Sequence, residues 1–556
     1  MNARAYLSAL AAATMILAAG SALAGTDVVT PELQAVLQAA APQEEIPVII
    51  SFADRVDPAR FNDPDRRQRR ARMLAALKEK SDKAHKPLKA FLERRRARHM
   101  RVLWLKNALA AHVPADSIPE IAHWPGVSRI QTDGVLQAPP VTYDSSVTPE
   151  WNLQMVRAPD LWSLGFTGQG VVVANMDTGV DANHPDLAVQ WRGGNNSWFD
   201  PNGQHSTPYD RSGHGTQTMG VMVGRNSGGT AIGVAPNAQW IAVKIFNDAG
   251  SATYSGIHSG FQWLLDPDGN PATDDAPDVV NNSWSLVNVY QCNLEFEDDI
   301  GALRAAGIAV VFAAGNSGSF GAFSTESPAN NPSGYGVGAV DSAQTVASFS
   351  GRGPSTCTGN IDPDVVAPGE SIYTSDLSLG GLPLYATVSG TSFASPHVAG
   401  TMALLLSAFP QLTVTELEST LQQSAVDLGA TGADNDYGNG LINAWWAYNL
   451  VRTQNADTDG DTVPDYRDNC TQVANANQRD TDGDGFGNMC DGDLNNDIKV
   501  NVVDLNLFKA AYNTVTGNPA YNPNADFNGD GRINTLDLSI FKLLYSKPPG
   551  PSCCGP

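Results

Sequence analysis

The sequence predicts an α/β fold with a mostly parallel sheet covered by helices on both faces, preceded by a small α+β unit and followed by an acidic tail. Between residues 141 and 452, short apolar runs alternate with helix-like segments, which is typical of βαβ units. Residues 25–140 combine strand-like runs with a stretch rich in Arg, Lys and Ala. After residue 453 the composition changes and aspartates recur at alternating positions.

A chain of 556 residues is long enough for three or more domains. Composition shifts and linkers predict the segments 1–24, 25–140, 141–452, 453–492, 493–547 and 548–556. The net charge of −23 argues against a nucleic-acid partner. Residues 25–140 carry +5 and the chain from residue 141 onward carries −29. A basic segment ahead of an acidic one suits contact between the two, although both could be solvated surfaces.

Residues 1–24 have the features of a secretory signal peptide. Arg4 supplies a positive start, an apolar run follows, and Ala22-Leu23-Ala24 offers a small-residue cleavage site. No other apolar run is long enough to span a membrane. We therefore expect an exported protein, secreted or associated with a cell surface, without a membrane span.

The segment 25–140 has a strand–helix–strand pattern. Residues 46–52 predict a strand, and residues 65–106 predict a long helix interrupted near Pro87. A second strand ends at Val113, a short helix covers residues 118–123, and residues 127–131 close the sheet.

Three motifs in the next segment carry residues suited to nucleophilic catalysis. Asp177 follows an apolar strand, at the edge where α/β sheets place their sites. His214 stands between glycines, and Ser392 precedes an apolar helix whose unpaired N–H groups suit a developing oxyanion. Taken singly, these residues could be a strand-end cap, a turn histidine and a helix N-cap. Their joint occurrence in the order Asp, His, Ser favours catalysis.

With these motifs, residues 151–449 resemble the subtilisin-like serine proteases. The resemblance rests on four motifs: Asp177-Thr178-Gly179, Gly213-His214-Gly215-Thr216, Ala313-Ala314-Gly315-Asn316 and Gly390-Thr391-Ser392-Phe393-Ala394-Ser395-Pro396-His397. It implies the subtilisin-like fold, with Ser392 as nucleophile, His214 as general base and Asp177 as the residue that orients the histidine. An esterase is disfavoured because Ser392 lacks the Gly-x-Ser-x-Gly elbow.

The resemblance also implies residues that bind substrate. Asn316 matches the oxyanion asparagine, and the resemblance assigns Ser283 and Gly315 to the substrate cleft. This cleft includes the S1 pocket, which holds the P1 side chain before the scissile bond. Glu326 aligns with the floor of that pocket, where a buried carboxylate would favour Arg or Lys at P1. A surface glutamate in a loop is the plainer interpretation of Glu326.

The sequence departs from the family pattern in three places. Gln217 stands where a second histidine usually follows Gly-Thr, and Ser283-Trp284-Ser285 replaces a small, glycine-rich edge of the cleft. Ser227 stands where the family's calcium site usually has an asparagine, although Asp186 matches its aspartate. We do not carry that calcium site over to this chain.

The position of residues 25–140 resembles the family's propeptide, a folding template and inhibitor that is later cut off. A charged arm that binds acidic surfaces is the alternative. The proline-rich linker 137–149 would contain the processing bond. Cys292 and Cys357 lie inside the catalytic segment and would pair in an exported protein, with two free thiols as the alternative.

The first part of the acidic tail resembles thrombospondin type 3 repeats. Carboxylates at alternating loop positions provide the oxygen ligands that Ca²⁺ prefers, whereas a disordered acidic linker would not keep such a register. The predicted ligands are Asp457, Asp459, Asp461, Asp468, Asp480, Asp482, Asp484 and Asp491. The resemblance also implies a disulfide between Cys470 and Cys490.

The second part of the tail repeats a loop and a helix after 33 residues and resembles the dockerin module. Its predicted calcium ligands are Asp493, Asn495, Asp497 and Asp504 in the first loop, and Asp526, Asn528, Asp530 and Asp537 in the second. Gly531 holds the sharp turn of the second loop, but Ile498 replaces it in the first, which should strain that site. A dockerin implies a cohesin-type partner; a calcium-stapled stability module is the alternative.

These predictions describe a secreted serine endopeptidase made as a self-processing zymogen. It would act on proteins or peptides, with its own propeptide as inhibitor and Ca²⁺ as cofactor. An inactive scaffold that acts through the dockerin-like module is the alternative. The tail from residue 548, with Cys553 and Cys554, gives no functional prediction.

Overall fold

The computed structural model describes residues 28–552 except for 64, 145–149, 379–383, 455, 464, 466 and 467. The predicted signal peptide, part of the predicted processing linker, and Cys553 and Cys554 lie outside the described residues. No helix in the described ranges has the length and apolar character needed to cross a membrane.

The N-terminal unit is an antiparallel sheet covered by helices. Its elements are α1 (Pro31–Ala39), β1 (Glu45–Phe52), α2 (Arg66–Arg94), β2 (Arg98–Leu103), β3 (Ala108–Pro114), α3 (Ile118–Ala122) and β4 (Val127–Thr132). The strand order is β2-β3-β1-β4, with β1 antiparallel to both β3 and β4. Apolar side chains of β1 and of the second half of α2 share one core, to which Val48, Ile50, Leu88 and Leu92 contribute.

Two predictions for this unit were wrong. Helix α2 runs unbroken through Pro87, and residues 98–103 form strand β2 instead of continuing the helix. A proline inside a helix costs about 3 kcal/mol or more. The helix packs into two cores, Leu74 and Leu77 in one and Leu88 and Leu92 in the other, and burial of this apolar surface offsets the cost.

Two short strands come next, β5 (Val135–Gln137) and β6 (Thr142–Tyr143). They lead into the segment that the sequence predicts to be a peptidase, which we call the peptidase unit. Its elements are α4 (Trp151–Met155), α5 (Ala158–Ser163), β7 (Val172–Asp177), β8 (Trp198–Phe199), α6 (His214–Val223), β9 (Gln239–Lys244), β10 (Ser251–Thr253), α7 (Tyr254–Leu265), β11 (Val279–Asn282), α8 (Glu297–Ala305), β12 (Ala309–Ala313), β13 (Gly336–Val340), β14 (Val365–Pro368), β15 (Ile372–Ser375), β16 (Tyr385–Ser389), α9 (Thr391–Ala408), α10 (Val414–Gln423) and α11 (Ala444–Gln454).

Seven of these strands form one sheet in the order β14-β13-β12-β11-β7-β9-β8, and its six strand pairs are parallel. Successive residues of a strand face opposite sides of the sheet. Val173 and Val279 enter a core with α6 and α9, whereas Ala174 and Val280 enter a second core with α7 and α8. This doubly covered parallel sheet is the predicted fold class.

Strands β5 and β6 link the N-terminal unit to the peptidase unit. Strand β5 pairs antiparallel with β10, and the Ala138 N–H donates to the Gly250 carbonyl at 2.7 Å. Strand β6 pairs antiparallel with β16, just before α9. The chain therefore pairs with two separate strands of the peptidase unit before that unit begins.

The C-terminal region contains loops and two short helices. Its regular elements are α12 (Val502–Ala511), β17 (Thr514–Val515), β18 (Arg532–Ile533) and α13 (Thr535–Leu544). Phe508, Phe527 and Phe541 stack in a small core between the two helices. The structure contains the disulfides Cys292–Cys357 and Cys470–Cys490, as expected.

Candidate active site and calcium loops

The carboxyl ends of three adjacent strands define one side of the cleft. Asp177 is the last residue of β7, Ser283 follows β11, and Asn316 lies three residues beyond β12. Parallel strands place such residues at the same edge of the sheet. His214 and Ser392 stand at the beginnings of helices α6 and α9. The sheet edge and the two helix starts therefore bring the predicted catalytic residues to one cleft.

His214 is held by Asp177 in the interior of the cleft. The Nδ1–H of His214 donates to Oδ1 of Asp177 at 2.8 Å, and both side chains are 1% exposed. Burial lowers the pKa of His214, but the Asp177 carboxylate outweighs that effect and raises the pKa above 6.5. Nε2 of His214 is buried without a hydrogen-bond partner among the described residues. This nitrogen is the free acceptor that a general base requires.

Asp210 was missed by the sequence analysis, although it lies four residues before His214. Its carboxylate accepts the N–H groups of Ser212, Gly213 and Thr216 at 3.0–3.1 Å and the Thr216 hydroxyl at 2.8 Å. It thereby fixes the first turn of α6. An aspartate just before a helix start was the available signal.

Ser392 is the second residue of α9 and is 4% exposed. Its hydroxyl donates to the Ser283 carbonyl at 3.2 Å in this structure and not to His214. Gly390 has φ of +151°, a backbone conformation that L side chains rarely adopt. The side chain of Ser283 faces the interior, where its hydroxyl bonds the Ser392 carbonyl at 2.7 Å. Ser283 thus supports the start of α9 from behind.

Asn316 lies beside the N-terminus of α9. Its amide oxygen accepts both the N–H and the hydroxyl of Thr391 at 2.9 Å. This contact leaves Nδ2 as a donor, and the Asn316 side chain is exposed. An exposed amide N–H beside a helix N-terminus is suited to bind a negatively charged oxygen.

Glu326 is buried, with 1% of its surface exposed, instead of lying on a surface loop. The hydroxyls of Ser285 and Ser317 each donate to one oxygen of its carboxylate. A Cβ on Gly315, which has φ of +94°, would lie 2.6 Å from the Glu326 Cδ. Within the described ranges, no Lys, Arg or His forms an ion pair with Glu326. Among these residues, the Glu326 carboxyl therefore has hydroxyl donors and no cation as partners.

Two of the departures from the family pattern have structural partners. Nε2 of Gln217 donates to Asp376 at 3.2 Å and to the Tyr143 hydroxyl at 3.3 Å, so Gln217 contacts the strand that precedes the peptidase unit. The Asp186 carboxylate accepts the Ser227 N–H at 2.6 Å and the Tyr385 hydroxyl at 2.7 Å. Protein donors thus contact both oxygens of Asp186.

Two groups of three carboxylates lie in the first part of the tail. One oxygen from each member of a group lies within 4.8 Å of the other two, in the groups Asp457, Asp459 and Asp461, and Asp480, Asp482 and Asp484. Asp468 is fully buried, and its Oδ2 has no hydrogen-bond partner among the described residues. Burial and the facing carboxylates raise the pKa of Asp491 to about 8. Such crowded carboxylates and orphaned oxygens fit a bound cation of the Ca²⁺ class.

The two repeated loops of the second part have matching backbones. Oδ2 of Asp493 accepts the N–H of Ile498, and Oδ2 of Asp526 accepts the N–H of Gly531. Asp504 and Asp537 lie in the first turns of α12 and α13. Each accepts the N–H of the asparagine that caps its own helix, at 2.8 Å and 2.9 Å. Ile498 has φ of +64° where Gly531 has +79°. The predicted strain in the first loop is therefore present in the backbone.

A loop of the peptidase unit contains a third acidic group that the sequence analysis did not include. Asp266, Asp268 and Asp275 also place one carboxylate oxygen each within 4.8 Å of the other two. The alternation Asp266-x-Asp268-x-Asn270, similar to that in the tail loops, was the available signal.

A parallel α/β sheet with a buried Asp–His pair at its carboxyl edge and a serine at a nearby helix N-terminus defines a class of serine hydrolases. Residues 168–440 match the subtilase family, residues 455–478 match the thrombospondin type 3 repeat, and residues 491–543 match the dockerin type I domain. The chain belongs to the subtilase family of serine proteases, with a thrombospondin type 3 repeat and a type I dockerin at its C-terminal side.

Several curated proteases are similar to this chain. Subtilisin E of Bacillus subtilis (strain 168) is 37% identical over 339 residues, which cover 61% of this chain and 79% of that protein. The subtilisin of Bacillus pumilus is 38% identical over 295 residues, 53% of this chain and 96% of that protein. Bacillopeptidase F of Bacillus subtilis (strain 168) is 34% identical over 420 residues, 69% of this chain, but the match spans only 29% of that relative's length.

Proposed function

We propose that the chain is a secreted serine endopeptidase, made as a zymogen, that hydrolyses peptide bonds through Asp177, His214 and Ser392. The observation that carries this proposal is the buried 2.8 Å contact between Asp177 and His214, which leaves Nε2 of His214 free as a base. The rival proposal, an inactive scaffold, does not explain why each position of this constellation keeps its reactive residue.

The residues perform the reaction in the following way. His214 takes the proton of the Ser392 hydroxyl through Nε2, and the serine oxygen attacks the peptide carbonyl. Asp177 keeps the imidazole in the tautomer that exposes Nε2 and stabilises the imidazolium. Nδ2 of Asn316 and the Ser392 N–H bind the oxyanion, and loss of one such donor costs about 3–4 kcal/mol of transition-state stabilisation. His214 then protonates the leaving amine, and water hydrolyses the acyl-enzyme.

The N-terminal unit would act as the inhibitor of the zymogen. Strand β5 pairs with β10, and β6 pairs with β16, which ends three residues before Ser392. The hydroxyl of Tyr143, on β6, also accepts a hydrogen bond from Nε2 of Gln217, on the helix that begins at His214. A segment held this close to the catalytic residues would compete with a peptide substrate. The bond that is cut would lie in the linker 137–149. Removal of this segment would open the cleft.

The test compares the full chain with its Ser392→Ala variant, both without residues 1–24, by intact mass over hours in calcium. The parent chain should shed a basic N-terminal fragment, and the variant should stay intact. Casein hydrolysis by the processed enzyme should exceed that of the variant by about 10⁶-fold. Ser163→Ala, an exposed serine at the end of α5, is the matched control and should behave as the parent. A parent that neither sheds the fragment nor cleaves casein after limited trypsin treatment would contradict the proposal.

The environment of Glu326 supports a preference for Arg or Lys at P1. A buried carboxylate with only hydroxyl donors gains more from a substrate cation than a solvated one, because the interior screens charge weakly. Peptide substrates that differ only in P1-Arg or P1-Phe test this, with Glu326→Gln as the isosteric control. The parent should prefer P1-Arg, and the variant should lose that preference. A clear preference of the parent for P1-Phe would contradict the proposed role of Glu326.

A second function rests on the dockerin: calcium-dependent binding of a cohesin-type protein. The paired loops and the Phe508–Phe527–Phe541 core are the observations that favour it, and the oxygen-rich loops would hold Ca²⁺. Immobilised cohesin-type proteins should capture the Ser392→Ala chain in calcium and release it in a chelator. Ile498→Gly should strengthen calcium binding to the first loop, because a non-glycine residue in the left-handed region costs about 1–2 kcal/mol. Absence of capture by any cohesin type would leave the module with a stabilising role.

A further inference from the structure

The loop between α7 and β11 contains three carboxylates, Asp266, Asp268 and Asp275, which we call the loop acid cluster. It lies apart from both the cleft and the tail loops. Three oxygens no more than 4.8 Å apart can all lie within about 2.8 Å of one point, close to the 2.3–2.6 Å of calcium–oxygen bonds. Mg²⁺ would need shorter bonds in a stricter geometry. The spacing therefore suits Ca²⁺.

Asp266 gives an independent indication of a cation. Its side chain is 2% exposed, and its Oδ1 has no hydrogen-bond partner in the described part of the chain. The Lys78 ammonium bonds Oδ2 of this carboxylate, so Oδ1 is left buried without a donor, which is unfavourable unless a second cation reaches it.

Neutral groups satisfy the other two carboxylates. Asp268 accepts the Asn270 N–H at 2.8 Å and the Thr273 hydroxyl at 2.9 Å. Oδ2 of Asp275 accepts Nδ2 of Asn196 at 3.0 Å. The guanidinium of Arg192 donates to the backbone carbonyl of Asp275 instead of its carboxylate. These contacts orient the carboxylates without cancelling their charge.

One cation of the N-terminal unit reaches the loop acid cluster. The Lys78 ammonium, on α2, pairs with Oδ2 of Asp266. Among the described residues, it is the one Lys or Arg side chain in an ion pair with any of the three carboxylates. The N-terminal unit thus places a positive charge where a metal ion would otherwise be held by three carboxylates.

We propose that the loop acid cluster is a calcium site of the peptidase unit, and that Lys78 weakens this site while the N-terminal unit is attached. Removal of the Lys78 charge leaves all three carboxylates to the ion. By reciprocity, calcium bound at the cluster weakens the hold of Lys78 on Asp266. Calcium would then favour departure of the N-terminal unit and replace the charge that it takes away.

The first experiment counts calcium ions on the full chain that carries Ser392→Ala, so the chain stays uncut whether or not the proposed peptidase activity exists. Equilibrium dialysis at millimolar Ca²⁺, the working range of extracellular calcium modules, is followed by metal analysis. Asp268→Asn should bind one ion fewer than its parent. Asp298→Asn, an exposed acid of the same unit that pairs with Arg55, is the control and should lose none. Equal numbers of bound calcium ions in the parent and in Asp268→Asn would show that the loop acid cluster is not a calcium site.

Two further variants complete the test. Asp275→Asn should also bind one ion fewer than its parent. Circular dichroism checks that both variants fold, and Asp275→Asn replaces Asp268→Asn if Asp268→Asn misfolds. Lys78→Met should lower the calcium Kd of the ion that Asp268→Asn removes by about tenfold, as expected for one nearby charge at partial exposure. Lys83→Met, an exposed lysine on the same helix, should leave the Kd unchanged. A Kd that Lys78→Met does not alter would overturn the role of Lys78.

Discussion

The N-terminal unit contacts the peptidase unit through two kinds of charged contact that differ in burial. On the surface, Arg55 pairs with Asp298, with side chains 42% and 40% exposed. In the interior, Lys106 pairs with Glu295, with side chains 8% and 7% exposed. Glu295 also bonds His258 at 2.9 Å and Gln131 at 2.6 Å, and His258 bonds Asp299 at 2.7 Å. We call Lys106, Glu295, His258 and Asp299 the buried charge cluster.

The comparison shows that ion pairs of the same charge can differ in how much they stabilise the contact between the two units. A surface pair is screened by water and contributes about 0.2–1 kcal/mol. A buried group cannot be rehydrated when its partner is lost, so removal of one partner costs about 3–5 kcal/mol. The charge imbalance between residues 25–140 and the rest of the chain indicates contact, but burial decides which contacts hold the units together.

Of the three substitutions, removal of Lys106 should lower the free energy of unfolding the most. In the Ser392→Ala chain, Lys106→Met leaves Glu295 buried beside Asp299 without its main cation, and should destabilise the N-terminal unit by about 3–5 kcal/mol. Guanidinium unfolding followed by tryptophan fluorescence measures the shift. Lys83→Met is the matched control because its partner is exposed. A loss of stability below 1 kcal/mol would show that water reaches Glu295 once Lys106 is removed.

Arg70 offers an intermediate case. Its side chain is 3% exposed and pairs with Asp274, which is 42% exposed, at 2.7 Å. Burial lowers the pKa of Arg70 to about 10. Arg70→Met should cost about 2 kcal/mol, the range for a hydrogen bond to a charged group, in the same unfolding assay. A cost equal to that of Lys106→Met would mean that burial of one partner alone gives an ion pair the full stabilising effect of a buried pair.

The buried charge cluster should also give stability a pH window. Burial lowers the pKa of His258, but Asp299 and Glu295 outweigh this effect and raise it above 6.5, so its contribution is complete below pH 6.5 and is lost as the pH rises through the raised pKa. Burial raises the pKa of Glu295, but His258 and Lys106 lower it below 4.5 overall, so its contribution is lost as the pH falls below 4.5. Thermal unfolding of the Ser392→Ala chain across pH 2–9 should show both limbs, and His258→Asn should abolish the alkaline one.

The smallest effect is expected at the surface. Arg55→Gln should cost about 0.2–1 kcal/mol at low salt and nothing measurable at 1 M salt, where the screening length is about 3 Å. Urea unfolding at low salt and at 1 M salt tests this, because urea is uncharged and leaves the ionic strength to be set separately. A cost that persists in high salt would place Arg55 with the buried contacts.

Much of the fold and the site could be predicted because strand ends, glycine-flanked polar residues and repeated aspartates are local patterns. Asp177, His214 and Asn316 occupy the strand-end and helix-start positions that their motifs predicted. The unbroken helix across Pro87 could not be predicted, because the two cores that stabilise it are formed by residues distant in sequence. The pairing of Lys78 with Asp266 joins residues 188 positions apart, and a local pattern contains no information about such a contact.

The disulfide between Cys470 and Cys490 has a consequence for the durability of the molecule. It closes a 20-residue stretch between the peptidase unit and the dockerin, within the acidic loops. Loops that lose the ions holding them are open to proteolysis. A single nick between the two cysteines would leave both fragments covalently joined, because the bridge spans the break. The connection between the peptidase unit and the dockerin would thus survive a cut within these acidic loops.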